Sequence, residues 1–238
     1  MSCPFTVRRF AVLAFALSSL FLSACGALPQ ARMALPGPLA NEASRQPIEG
    51  IGGSQQSNFR TGDSTGSFKR SAVRINFFDL VQRDRSAVRF DLAGPDWKDG
   101  LKAECLMRQV TVEASIVSFP VKRLAFRCSL ESGGDPQGEL VMVEADSGLT
   151  IGAPRREGRV SLLGKSLTLR AVHGLAGSPF QLEKPSGYVF ERDGPALGAV
   201  EVTDASRPDI LFAAGVSAEE RRMITLAALA LSMLWEQG

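Results

Sequence analysis

Between residues 68 and 213 the chain falls into short apolar-rich runs, the first two of which alternate apolar and polar side chains, broken by Gly, Pro or Asp. Alternation with a period of two sends successive side chains to opposite faces of an extended strand, so each of those two reads as a strand with one buried face. In residues 69–78, Val73, Ile75 and Phe77 face one way while Arg74 and Asn76 face the other. In residues 86–92, Val88, Phe90 and Leu92 are set against Arg89 and Asp91. Further candidates are residues 101–107, 110–117, 122–130, 139–145, 159–163, 166–172, 187–191, 197–202 and 209–213. Turn chemistry falls between them at Gly94-Pro95-Asp96, Gly133-Gly134-Asp135-Pro136 and Arg192-Asp193-Gly194, and Gly164-Lys165 is expected to close a tight hairpin. The expected fold is mainly β, an antiparallel barrel or sandwich of about twelve strands.

The C-terminal segment breaks this pattern. Ser217 followed by Glu220 makes a capping box, and residues 223–235 are apolar on every face apart from Thr225 and Ser232. A helix apolar all round is buried in protein or in membrane. A helix of that length rises about 20 Å, short of the roughly 30 Å hydrocarbon core. It is therefore expected to be enclosed by the sheet; packing on one sheet face, or docking on a partner, are the alternatives. Gly187-Tyr188-Val189-Phe190, Asp193-Gly194, Gly198-Ala199-Val200 and the capped apolar helix together resemble the end of the LURP-one, tubby and phospholipid-scramblase barrels. The resemblance implies a dozen strands wrapped around a hydrophobic C-terminal helix. It implies no activity, because neither the phosphoinositide-binding basic residues of tubby domains nor the acidic calcium segment of scramblases can be matched here.

At the other end, Arg8 and Arg9 precede an uncharged apolar run, residues 10–22, and then the small residues Ser23 and Ala24. That is the layout of a secretory leader. Leu22-Ser23-Ala24-Cys25 resembles the bacterial lipobox, which implies cleavage before Cys25 and acylation of its sulfur. Gly26, rather than aspartate, follows the cysteine. By analogy with lipoprotein sorting, this implies lipid anchoring in the outer membrane, facing the periplasm. Two or more acyl chains, at about 0.8 kcal/mol per buried methylene, hold such a protein stably. The expected organisation is a leader over residues 1–24, a lipidated N-terminus and flexible tether over 25–67, and a β-rich domain over 68–238. In residues 26–67, 16 of 42 are Gly, Pro or Ser, and the Ile48–Gly53 stretch is too rich in glycine to suggest a strand.

Loss of the leader changes the charge and cysteine arithmetic. The formal +2 comes from Arg8 and Arg9, so the mature chain carries 25 basic and 25 acidic side chains. That balance argues against a nucleic-acid partner. The expected partner is the membrane, through the lipidated N-terminus, with an envelope protein or a lipid as the further one. Of the four cysteines, Cys105 and Cys128 remain after Cys3 leaves and Cys25 is acylated. In an oxidising compartment this pair is expected to form a disulfide; two buried thiols are the alternative. One histidine and no close cysteine spacing give no expectation of a metal site or of a cofactor.

Catalytic candidates are sparse. His173, beside Gly174, is the only histidine, so a histidine-based hydrolase would have to use it; the alternative is a capping or exposed histidine. No Gly-x-Ser-x-Gly elbow accompanies it. Gly174-Leu175-Ala176-Gly177-Ser178 lacks the strand-loop-helix frame of a phosphate cradle. Glu139 with Glu144, and Glu191 with Asp193, fall at strand ends and turns, where solvated carboxylates are ordinary. Trp97 is expected either to plug a barrel end or to sit in a recognition loop, and Arg155, Arg156 and Arg159 to form a solvated loop or a headgroup contact. The functional expectation is a non-enzymatic binding or structural module of the envelope, with a lipid-handling module as the alternative.

Overall fold

In the computed structural model, which describes residues 31–37, 39–77, 81–114, 117–144 and 155–234, the apolar-rich runs pair into one closed sheet. Its strands are β1 (Ser44–Glu49), β2 (Gln56–Thr61), β3 (Ser64–Phe77), β4 (Val81–Gly94), β5 (Trp97–Ala114) and β6 (Val117–Ser132). They continue as β7 (Asp135–Glu144), β8 (Arg156–Leu162), β9 (Lys165–Val172), β10 (Gly187–Glu191), β11 (Ala196–Glu201) and β12 (Asp209–Phe212). Each strand lies antiparallel beside the next, and β1 pairs with both β2 and β12. Closure pairs every strand on both sides, although β3 beyond Lys69 and β6 before Ala125 run past the register of β2 and β7.

The expected β architecture is observed, but the strands are divided differently. Two of them, β1 and β2, come from the stretch read as a tether, and the folded unit begins at Arg32 rather than at residue 68. The glycines there serve turns rather than disorder. Gly50 sits at φ +89° between β1 and β2, and a Cβ on it would lie 2.3 Å from the Asn58 carbonyl oxygen. The candidate over 101–107 and residues 110–114 of the next are one strand, β5, while Val117 already belongs to β6. The polar pair Arg108-Gln109 between them marks a slip in its register with β6. The hairpin expected at Gly164-Lys165 turns one residue earlier: Leu162 pairs with Lys165, and Leu163 and Gly164 take φ of 51° and 79°.

The apolar helix is α2 (Ala218–Ser232), and it is enclosed by the barrel. Nine consecutive residues from Met223 to Leu231 are buried, in one core with inward-facing side chains from every strand. The capping box is formed in full: the Glu220 N–H donates to Ser217 Oγ, and Glu220 accepts from the Ser217 N–H. Gly198 on β11 lets the helix approach the wall, since a Cβ there would lie 2.8 Å from Ile224 Cδ1. Trp97 is buried beside Leu101 and closes the end of the barrel where α2 starts, the first of the two alternatives for it.

A second, smaller core lies outside the wall. The segment from Arg32 to Ala43, which includes α1 (Leu39–Glu42), straps across β10–β12 and buries Met33 and Leu39 against Val189, Ala199 and Leu211. Glu201 holds the strap down. It is 2% exposed; Oε1 accepts from the Met33 N–H at 2.5 Å, and Oε2 accepts from Arg45 at 2.7 Å and Arg32 at 3.1 Å. Burial pushes this carboxyl up, but the bonds from Arg45, the Met33 backbone and Arg32 outweigh it and hold Glu201 below the usual carboxylate value.

A cationic and aliphatic outer face as the candidate site

Where the interior is occupied by α2, what a barrel offers a partner is its outer surface. Strands β3 to β6 are 14 to 18 residues long, against 4 to 6 for β10 to β12, so one side of the wall stands taller. Antiparallel pairing lines up its side chains in rows. One outward row runs Ser71, Ala87, Leu106, Arg127 and Val141; the next runs Val73, Arg85, Arg108, Ala125 and Val143. Val73 and Leu106 are each 54% exposed and Val143 is 47% exposed. A solvated sheet face is ordinarily polar, so exposed branched aliphatics repeated on three strands are a departure from pattern.

The charge on this face is equally uneven. Toward the β4–β5 turn the arginines are compensated: Arg89 pairs with Glu104 at 3.1 Å, and Arg127 lies 3.7 Å from Glu139. In the next row outward, Arg85 stands directly opposite Arg108 on the neighbouring strand. Neither has a carboxylate within ion-pairing distance among the described residues. Like charges directly opposed across a ladder repel. A cleft of about 500 Å³ crosses the same wall, lined by Lys69, Ser71, Ala87, Arg89, Leu106 and Arg127. Guanidinium groups supply planar, two-pronged donors for phosphate or carboxylate, and the flanking aliphatics can receive an apolar stem. A surface of this kind is suited to an anionic group carried on an apolar stem.

The residues singled out by sequence fall as follows. Cys25 lies outside the described residues. Cys105 and Cys128 are directly opposed on β5 and β6 and form a disulfide facing the core, so the bond ties neighbouring strands. His173 is a loop pin: its Nδ1 lies 2.9 Å from the Leu182 carbonyl oxygen, which fixes Nδ1 as the donor. The arginine cluster does not exist as a cluster, because Arg156 lies in β8 rather than in a loop. Alternation along that strand turns Arg156 inward, 5% exposed, toward the Tyr188 hydroxyl at 3.4 Å, while Arg155 is exposed. Glu139 lies beside Arg127 on the outer face, and Glu144 stands opposite Arg156 in the ladder, so the two glutamates do not converge. Glu191 is bonded to Arg170 at 3.0 Å, and Asp193 occupies the turn at φ +52°.

Arg85 and Arg108 escaped the sequence reading because both were placed outside strands, Arg85 just before one and Arg108 between two. Continuing the period-two pattern through Arg83-Asp84-Arg85 would have put Arg85 on the face of Ala87 and Arg89. The strap latch at Glu201 had no local signal at all, since its partners are more than 150 positions away. No family model matches the chain, and no curated protein or solved structure matches it either.

Proposed function

We propose that the chain is a non-enzymatic lipoprotein of the outer membrane, held at the periplasmic face by an acylated Cys25, whose barrel is a binding or structural module of the envelope. The observation that carries this reading is the filled barrel: α2 and the inward side chains of all twelve strands occupy the interior. Recognition then belongs to the wall. The lipobox-like residues supply the address, and a closed, disulfide-linked barrel suits an oxidising compartment. Replacing Cys25→Ser tests it. Palmitate incorporation should vanish and the protein should move to the soluble fraction; unchanged membrane retention would remove the reading.

The Arg85–Arg108 face favours a second reading, in which the partner is an anionic lipid. Opposed guanidiniums suit a phosphate headgroup, and Val73, Leu106 and Val143 suit the acyl chains below it. Native mass spectrometry of the detergent-purified lipoprotein should show co-purifying anionic lipid, reduced in Arg85→Gln/Arg108→Gln. A clean mass for the protein with its own acyl chains alone would sink this lipid reading and leave the first standing.

A further inference from the structure

An exposed phenylalanine is ordinary by itself; its address in this fold is not. Phe180 is 78% exposed and Leu182 is 39% exposed, on the connection between β9 and β10. This connection is not loose. Gly174 bridges Gln181, the Leu182 N–H donates to the His173 carbonyl at 2.8 Å, and the Phe180 N–H donates to Ser178 Oγ at 3.2 Å. Because Gln181 takes part in the bridge, Phe180 and Leu182 project to one side of an extended segment. Glu183 and Lys184 follow with opposite charges, leaving no net charge beside the two apolar side chains.

The same connection receives the incoming chain. Met33 bridges Leu175, the Ala34 N–H donates to the Gly174 carbonyl at 3.0 Å, and the Ala176 N–H donates to the Arg32 carbonyl at 2.8 Å. Residues 32–34 therefore arrive at the barrel against the loop that carries Phe180. Arg32 lies seven chain steps after Cys25, and a chain spans at most about 3.6 Å per step, so that interval covers no more than about 25 Å. The topology adds a second observation. Antiparallel succession puts the β9–β10 connection at the barrel end where β3 and β5 finish, and the row of Val73, Arg85 and Arg108 lies toward that end.

We infer that this end of the barrel is seated on the lipid bilayer, with Phe180 and Leu182 inserted among the acyl chains and the Arg85–Arg108 row facing the headgroups. The inference rests on the reading of Cys25 as acylated. It replaces a domain hanging clear on a long tether with a barrel clamped close to the surface at two points. The occupant is the bilayer that holds the chain's own anchor.

The test uses the full-length lipoprotein in its membrane, with one nitroxide label at Phe180→Cys or at Leu163→Cys, an exposed position at the opposite end of the barrel. Palmitate incorporation is measured on both variants. Seating predicts that the label at 180 loses access to a water-soluble relaxation agent and gains access to oxygen dissolved in the bilayer, while the label at 163 keeps full aqueous access. Retained palmitate with equal aqueous access at both positions would overturn the seating and leave the anchor reading intact. Lost palmitate incorporation overturns the anchor reading and the seating with it.

Discussion

At Glu201 a carboxylate almost wholly removed from water accepts bonds from two arginines and a backbone N–H, all three supplied by the N-terminal segment. Removing one partner of a buried charge network leaves the others unpaired, which costs about 3–5 kcal/mol when both partners are fully buried. Arg32 and Arg45 are partly exposed, so Glu201→Gln should cost nearer to about 2 kcal/mol in urea unfolding at neutral pH. The pH dependence follows from the direction of the shift. The folded carboxyl titrates below its ordinary value of 4.5, so the unfolded chain takes up the proton first as acid is added. The stabilisation is complete above that ordinary value and is lost as pH falls through the folded one. Unfolding midpoints of the wild type and Glu201→Gln should therefore converge in acid, and a constant gap down to the lowest pH would show that the charge of Glu201 does not matter. Gly198 gives a second residue-scale outcome. An added Cβ meets the Leu211 carbonyl oxygen at 2.7 Å and Ile224 at 2.8 Å, so Gly198→Ala should destabilise by about 1–3 kcal/mol through overpacking of helix against wall.

At the scale of elements, legibility followed the range of the interactions that decide each one. The capping box at Ser217 and Glu220 is a four-residue pattern, and it marked the start of α2 correctly because no distant group is needed to form it. Most strands from β3 to β9 were visible through period-two alternation, whereas β10 to β12, buried on both faces, were visible as short apolar runs between turn residues. β1 and β2 were not, since Ile48 and Phe59 are the single buried apolar residues of short strands among glycines, and the rest of the wall supplies their pairing. The strap and its latch depend on partners across the whole sequence, beyond any window of local pattern. The helix cap is also tied to the wall: Glu220 accepts from Arg192, on the β10–β11 turn, at 2.6 Å. Ser217→Ala should therefore cost about 1 kcal/mol, as an ordinary N-cap does. Glu220→Ala should cost more, because it breaks cap and turn together. Urea unfolding of both variants checks the order, and equal losses would show that the Arg192 contact contributes nothing. Replacing both Cys105 and Cys128 with serine opens a loop of 23 positions and should lower stability by roughly 3 kcal/mol in the chain-entropy account.

For the whole molecule, a twelve-strand ring places β5 diametrically across from β11, so the strap on β10–β12 and the Arg85–Arg108 face lie on opposite sides of the barrel. One side secures the chain's entry; the other is not covered by the strap. The face itself was illegible in the sequence because the chain as a whole is close to electrical balance, 27 basic against 25 acidic side chains, and only the register of β3 to β7 shows where the balance fails locally. That local imbalance yields a prediction in which stability and binding move in opposite directions. A side chain kept for the fold should cost stability when it is removed. Arg85 and Arg108 repel each other across the ladder, so Arg85→Gln or Arg108→Gln should leave stability unchanged or raise it by a few tenths of a kcal/mol. Once one is gone, removal of the other should add nothing, which makes the coupling in a double-mutant cycle repulsive. The coupling should shrink as salt is raised, because screening acts most strongly on exposed charges. The same substitutions should reduce capture of anionic lipid. Should each single variant instead be destabilised, with coupling that is attractive and insensitive to salt, the two arginines would belong to the architecture of the wall, and the binding face would have to be sought elsewhere on the barrel.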